Sequence, residues 1–372
     1  MKRVAILAPY VGKIDRGAEN FVKELTLALK DFFQIDVYSL EYEEMIKDNI
    51  IKVDVSESVL FRIYKKAYLK NRYIRFIINR FYHAIPDVCF QRKFSKACFE
   101  IINKREYDLI YPNNGIWGTH FARIYREKCG VPFIYTGHGG IGRGEKIVIE
   151  DEPNVYISMT LRQKAWVDGV ACGNTSSIVI HNGVKTSDFK HTKKRERKKK
   201  TVLTVGALTS FKRHKLTIEA VSKLNDVELI ILGMGEEYDS LKQLAEKLIP
   251  ERYSIESVSY KEVKGYYANA DVFCLPSYKE PFGIVYLEAM ASNLPIVAPD
   301  DSTRREIIGE AGLYCNVEDT NQYAEYIDKA LNMNWEDKPL TRVKSFDWSI
   351  ISNEYRMLID QVIEKTKKGS LG

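Results

Sequence analysis

Long apolar stretches are missing from this sequence. No run approaches the roughly 18 apolar residues that a membrane-spanning helix needs. Met1-Lys-Arg followed by Val4–Val11 has the outline of a leader peptide. Its apolar part is short, however, and Gly12-Lys-Ile-Asp-Arg-Gly17 offers no small-residue cleavage site, so a first β-strand is expected instead. Cysteine is sparse: Cys89, Cys98, Cys129, Cys172, Cys274 and Cys315 are widely scattered, with no C-x-x-C pair. That argues against a disulfide framework or a zinc site and for free thiols in a reducing compartment, the cytoplasm. A complete dinucleotide fingerprint is also lacking, because Tyr238 stands where the third glycine after Gly233-Met-Gly235 belongs. No repeat of solenoid length occurs. The net charge of +6 is mild, and no nucleic-acid module is visible, so a nucleic-acid partner is not expected.

What is present suits two α/β domains. A chain of 372 residues exceeds one core of ordinary size, and 45% hydrophobic with 28% charged residues is ordinary for a globular protein. Strands are expected at Lys2–Pro9, Ile35–Leu40, Tyr107–Tyr111, Pro132–Thr136, Val155–Ser158 and Ser177–Ile180. Helices are expected at about Ala18–Lys30, with Phe21, Leu25, Ala28 and Leu29 at helical spacing, and around Thr119–Lys128. Strands alternating with helices imply parallel sheets. Lys190–Lys200 is a charge run with almost nothing to bury, and it marks the domain boundary. A second series follows, with strands at Thr201–Val205, Val227–Leu232, Asp271–Pro276 and Pro295–Ala298. Its helices are expected at Lys215–Leu224, from Tyr238, at Lys261–Ala270 and at Ile284–Ala291, and a last one at Ser349–Lys367 starts on Asp347 or Ser349. The expected domains are 1–183, a basic linker 184–200, 201–348, and a terminal helix over 349–372.

The stretch Ser277–Ser292 carries the most chemistry. Glu280 precedes a turn through Pro281 and Gly283, and Glu288 follows on the next helix. The free amides of the helix start, at Phe282, Gly283 and Ile284, are anion donors. Two carboxylates around such an end suit a nucleotide sugar. In Gly206–Lys215, Lys212, Arg213 and Lys215 crowd a helix start whose dipole is already positive, a conflict that a diphosphate would remove; a solvated surface loop fits the same residues. Gly12 and Gly17 lie where α/β sheets bind phosphate, although a plain tight turn also needs glycine. His138 projects from the glycine-rich Thr136–Gly144 just past a strand; a lone histidine is usually structural, but this placement makes it a better functional candidate than average. From Leu60 to Pro86 seven basic residues and no acid are interleaved with aromatics. This segment fits an anionic membrane surface or lipid phosphate better than single-stranded nucleic acid, and an amphipathic helix packed on its own domain is the plain alternative.

Together these residues resemble the family-4 retaining glycosyltransferases. Glu280-Pro-Phe-Gly-Ile-Val-Tyr-Leu-Glu288-Ala-Met-Ala is similar to that family's E-x7-E signature. Support comes from Val179–Val184 with Phe189, Val205-Gly-Ala-Leu with Lys212, Ile230–Gly235 and Arg305–Gly312. The resemblance implies a GT-B fold: two facing Rossmann-like domains, with a C-terminal helix crossing back to the first. It implies a UDP- or GDP-sugar donor, a glycan or lipid-linked acceptor, retention at the anomeric carbon, no cofactor and no required metal. By the same resemblance Glu288 holds the ribose, Glu280 the donor sugar's hydroxyls, and Lys212 the diphosphate. Gly17 allows the diphosphate's approach, His138 bonds the transferred sugar, and Val258–Tyr260 lies near the base. The implied location is cytoplasmic, with peripheral contact at the inner membrane face through 60–86.

Three other readings stay open: a sugar-nucleotide epimerase, a glycan phosphorylase, and a non-catalytic membrane-associated scaffold. The sequence also departs from the family in two places. Ala207 stands where arginine is common, and Arg16-Gly17 where a glycine pair is common. Arg16 or Arg213 is expected to supply the missing charge. Arg16→Ala or Arg213→Ala should then weaken donor binding in a calorimetric titration; unchanged affinity and turnover in both variants contradicts this expectation.

Overall fold

The structure, a computed structural model, describes residues 1–12, 17–55, 85–113, 115–171, 173, 175–189 and 199–369. It divides into two compact units. One comprises Met1–Met159, Gln163–Ile180 and Ser352–Gly372; the other comprises Thr160–Arg162 and His181–Ile351. Most of the basic segment 60–86, the charge run 190–198 and Arg16 lie outside the described residues.

Among the described residues the first unit has seven strands: β1 (Arg3–Leu7), β2 (Gln34–Ser39), β3 (Ile50–Lys52), β4 (Leu109–Pro112), β5 (Ile134–Thr136), β6 (Val155–Ser158) and β7 (Ser176–Val179). All pairings are parallel, in the orders β3-β2-β1-β4 and β5-β6-β7. A parallel bridge between Ile110 and Phe133 joins the two sets. The strand order therefore reverses between β1 and β4, the place where open α/β sheets leave a crevice at their carboxyl ends. Val4–Leu7 are all buried because helices cover both sheet faces, so the strand is a continuous apolar run without alternation. Helix α1 (Gly17–Leu29) buries Phe21, Val22, Leu25 and Leu29, while Ala28, expected in that stripe, is only half-buried. Helices α2 (Ile85–Ile102), α3 (Ile116–Cys129), α4 (Arg143–Glu150) and α5 (Leu161–Val170) follow.

The second unit repeats the design. Its strands are β8 (Lys200–Val205), β9 (Val227–Leu232), β10 (Tyr253–Glu256), β11 (Val272–Cys274), β12 (Ile296–Pro299) and β13 (Gly312–Cys315). They are parallel in the order β10-β9-β8-β11-β12-β13, which reverses between β8 and β11. The helices are α6 (His214–Val221), α7 (Tyr238–Leu248), α8 (Tyr260–Asn269), α9 (Ile284–Ala291), α10 (Ser302–Ile308), α11 (Thr320–Asn332) and α12 (Lys338–Val343). Val202, Ile218, Leu229, Ile231 and Val272 lie fully buried in one cluster. Each such side chain contributes about 1.5–3 kcal/mol.

The last helix, α13 (Trp348–Gly369), starts on Asp347, whose carboxylate accepts from the Ser349 and Thr186 amides. From Ser352 onward it belongs to the first unit. There Tyr355 is buried against Phe21 and Tyr111, and Asp360 pairs with Lys2 at 2.6 Å.

Several expectations are corrected. Residues 184–189, assigned to a linker, are built into the second unit. Val184 bridges Asp347, and buried Phe189 meets the Tyr267 ring edge-on. Strands β3, β10 and β13 were not anticipated. All three are sheet edges with mixed or half-buried residues, so they lack the apolar runs of central strands. Helix α4 cuts into the expected glycine loop, which ends at Gly142.

Two glycines differ in what the packing around them demands. A Cβ on Gly233 would stand 1.9 Å from the Gly206 carbonyl oxygen, whereas one on Gly17 meets nothing within 4 Å. In urea denaturation Gly233→Ala should cost about 2 kcal/mol or more, and Gly17→Ala should cost nothing. Equal stability of the two variants contradicts this packing.

Candidate active site

The loops leaving β8 and β11 flank the strand-order reversal of the second unit, and they bring Lys212 and Glu280 together. Lys212 Nζ donates to Glu280 Oε2 at 2.5 Å, and Ser277 Oγ donates to the same oxygen at 2.8 Å. Sequence reasoning gave this cation and this carboxylate separate tasks; here they form one ion pair. The Lys212 stem runs past Gly206, where a Cβ would lie 3.5 Å from the lysine Cδ, an ordinary contact. Ala207 is exposed at the mouth of the same loop. Arg213 has a left-handed backbone, with φ of 53°, and its side chain is engaged. Its Nε donates to the Pro276 carbonyl at 2.7 Å, and one Nη pairs with the exposed Glu318 at 2.8 Å. His214 is buried and held neutral: burial pushes its pKa down to about 4, and its ring bridges Thr204 Oγ1 and the Ala207 carbonyl.

Past Glu280 the chain turns through Gly283, φ 88°, into α9. A Cβ on Gly283 would strike the Tyr286 ring at 2.6 Å, so glycine is required by both backbone and space. The Phe282 side chain is buried beside His181 and Phe346, leaving its amide, with those of Gly283 and Ile284, as the polar groups of the helix start. Glu288 lies on the same helix, buried, accepting from the Tyr267 hydroxyl at 2.9 Å. Burial pushes its pKa up to about 7, against the pull of hydroxyls from Tyr267 and Tyr260 and the charge of Lys264. Val258 is half-buried in the short connection from β10 to α8, next to Ser259, which with Glu262 forms a capping box.

In the first unit, Gly17 opens α1 after the β1 loop. His138 follows β5, with Phe21 edge-on at 4.8 Å. Its Nε2 meets Asn113 Oδ1 at 2.9 Å, so the proton sits on Nε2 and Nδ1 is the acceptor. Burial pushes its pKa down to about 4, which keeps the ring neutral. The glycine loop around it is clamped. Gln163 Nε2 donates to the Gly137 and Gly140 carbonyls, and Glu145 accepts from the Gly139 amide at 2.8 Å and the Tyr156 hydroxyl at 2.6 Å.

Sequence reasoning missed Asn113, Glu145, Gln163, Tyr267, Ser277 and Arg304. Only Ser277 left a local signal, its S-x-x-E spacing to Glu280, which places a hydroxyl within reach of a carboxylate across a turn. The others make contacts between elements, such as Glu145 to Tyr156, 11 residues apart, and Arg304 to Ser277, 27 apart, that no short spacing signals.

Comparison with known proteins bears on the fold. Residues 185–344 match the family of glycosyl transferases group 1. An uncharacterized glycosyltransferase of Methanocaldococcus jannaschii is 27% identical over 62% of this chain and 68% of its own length. A phosphatidyl-myo-inositol mannosyltransferase of Mycolicibacterium smegmatis is 29% identical over 50% of this chain, which spans about half of that relative, 53%. Among solved structures, a sucrose-phosphate synthase of Thermosynechococcus elongatus superposes with a TM-score of 0.76 at 17% identity, over 98% of this chain and 100% of the other. Anabaena HepE in complex with UDP gives 0.70 at 16%, over 97% and 100%. The fold is GT-B, and residues 185–344 match the group 1 glycosyl transferases.

The raised pKa of Glu288 has a stability consequence. A carboxyl held higher in the folded than in the unfolded chain stabilises fully below about pH 4.5 and loses that contribution as pH rises through about 7. Glu288→Gln should therefore melt higher than the parent at pH 8, by about 1–3 kcal/mol, and little differently at pH 5. A lower melting temperature at pH 8 contradicts the assignment.

Proposed function

We propose, from a GT-B chain whose second unit carries a group 1 glycosyl transferase domain, that this protein moves a sugar from a nucleotide-diphosphate donor to an acceptor hydroxyl, with retention and without a metal. The observation that carries this reading is the Lys212–Glu280 pair at the β8/β11 reversal, beside the start of α9 and on the same segment as Glu288. A carboxylate sunk in an apolar wall and steadied by a tyrosine suits the two hydroxyls of a ribose, which it binds in its ionised form. Glu280 accepts from hydroxyls of the transferred sugar. As the glycosidic bond breaks, negative charge grows on the leaving diphosphate, and Lys212 with the amides of Phe282, Gly283 and Ile284 stabilises it more than the ground state. These groups supply the countercharge that a metal provides in other transferases. Retention follows from attack on the face the diphosphate leaves, with a phosphate oxygen taking the acceptor's proton.

In the first unit, neutral His138 offers Nδ1 as an acceptor to a sugar hydroxyl, and Gly17 leaves space for close approach. Val258 borders the base. UDP or GDP is the donor nucleotide; HepE, which shares the fold, was solved with UDP. A lipid-linked or growing glycan is the acceptor, in keeping with one relative named for phosphatidyl-inositol mannosyl transfer and with the basic, aromatic segment 60–86.

The test is incubation with UDP- and GDP-sugars, with and without lipid-linked acceptors, reading donor loss and the product's anomeric configuration by NMR. Slow donor hydrolysis without acceptor and a retained product with it are expected. Glu280→Gln should lower turnover by about 100-fold, and Glu288→Ala should abolish the thermal shift caused by nucleotide. Donor isomerisation in the absence of acceptor, or an inverted product, contradicts the proposal.

A further inference from the structure

The segment before Glu280 is held in an uncommon way. Three consecutive carbonyls each accept from a long side chain of a different element. Leu275 accepts from the Tyr286 hydroxyl at 3.0 Å, Pro276 from Arg213 Nε at 2.7 Å, and Ser277 from Arg304 Nη2 at 2.5 Å. The next amide, Tyr278, donates to the Phe211 carbonyl at 2.7 Å. Lys279 then takes a left-handed backbone, φ 51°, which an L side chain rarely adopts. Glu280 follows at once. The chain is thus pinned on one side of a strained residue, and the carboxylate emerges on the other.

Arg304 is the more deeply buried of the two arginine anchors. It is 1% exposed and stands first among the fully buried side chains by volume. One Nη reaches Asp301 at 2.5 Å and the other the Ser277 carbonyl, while its Nε has no hydrogen-bond partner among the described residues. A guanidinium costs much to bury, and a helix cap alone does not need one, because Asp301 already accepts from the Arg304 amide at 3.0 Å. What the buried side chain adds is its grip on Ser277, whose hydroxyl donates to Glu280. The Glu280 carboxylate is thereby held by two donors on one oxygen, Lys212 from the loop after β8 and Ser277 from its own loop.

We propose that Arg304 and Ser277 are positioning residues for Glu280: Arg304 fixes the Ser277 carbonyl, and the Ser277 hydroxyl aims the carboxylate. The arrangement matters most when a diphosphate draws Lys212 away, because the serine then remains to keep Glu280 directed at the sugar. This inference rests on the glycosyl-transfer reading for its kinetic consequence only.

Ser277→Ala, Arg304→Met and Arg304→Lys would be compared with the parent. Binding of free UDP and GDP would be measured by calorimetry, donor hydrolysis by kinetics, and the Glu280 side chain by crystallography of Ser277→Ala. Ser277→Ala should bind the free nucleotide within about twofold of the parent yet turn donor over about tenfold more slowly. Arg304→Met should be slower still at nearly unchanged KM, and Arg304→Lys should recover part of the loss. In the Ser277→Ala crystal the Glu280 carboxylate should have left its place. Parental turnover in Ser277→Ala, or a loss that merely tracks weakened nucleotide binding, overturns the proposal. An unmoved Glu280 carboxylate in that crystal overturns it too. If the parent neither binds nor hydrolyses any nucleotide sugar, the transferase reading fails, and the crystallographic comparison still decides the positioning role.

Discussion

The ion pair between Lys212 and Glu280 is where the second unit's sheet, loops and helices converge. Parallel strands in the order β10-β9-β8-β11-β12-β13 send the connections after β8 and β11 to opposite sides, opening a crevice at their carboxyl ends. One connection carries the cation and the other the carboxylate. Around them the backbone is packed against itself: Gly206 and Leu208 carbonyls lie on Gly233 and Gly235, and His214 holds the Ala207 carbonyl. The polar pair is thereby presented by a rigid frame, as a site that must discriminate a transition state from a ground state requires.

Burial sets the protonation of the other polar groups. Glu288, with Tyr267 on one oxygen, has a pKa near 7, and so does Glu145, which secures the glycine loop of the first unit. His138 and His214 are pushed the opposite way by the same cause and are neutral. Desolvation disfavours whichever form is charged, which raises acids and lowers imidazoles. Within the second unit this leaves Glu288 as an acceptor that gains charge as pH rises through 7, and neutral His214 adds no repulsion beside the cationic loop that precedes it.

Much of this was legible in the sequence, and the reason differs by element. Central strands such as β1 and β8 were readable because burial on both faces favours near-continuous runs of apolar and β-branched residues, and β9 because its apolar residues line the buried face. Edge strands β3, β10 and β13 were not, since half-exposed residues carry no such pattern. Glu280, Gly283 and Glu288 were readable because a turn and a helix place them at fixed spacing within one segment. The supporting partners come from other elements: Tyr267 on Glu288, Arg304 on the Ser277 carbonyl, and in the first unit Asn113 on His138 and Gln163 on the glycine loop. Their contacts are set by tertiary packing that no local spacing encodes. Lys212 was located, but its bond to Glu280, 68 residues away, was not.

The central claim is that Lys212 is a diphosphate ligand kept in place by Glu280 until the donor arrives. Calorimetric titration of UDP and GDP into Lys212→Met and Glu280→Gln tests it most directly. The account predicts a loss of about tenfold or more in affinity for Lys212→Met, with affinity retained or tightened in Glu280→Gln, where the lysine is released from its partner. Equal weakening in both variants, or no weakening in Lys212→Met, would contradict it.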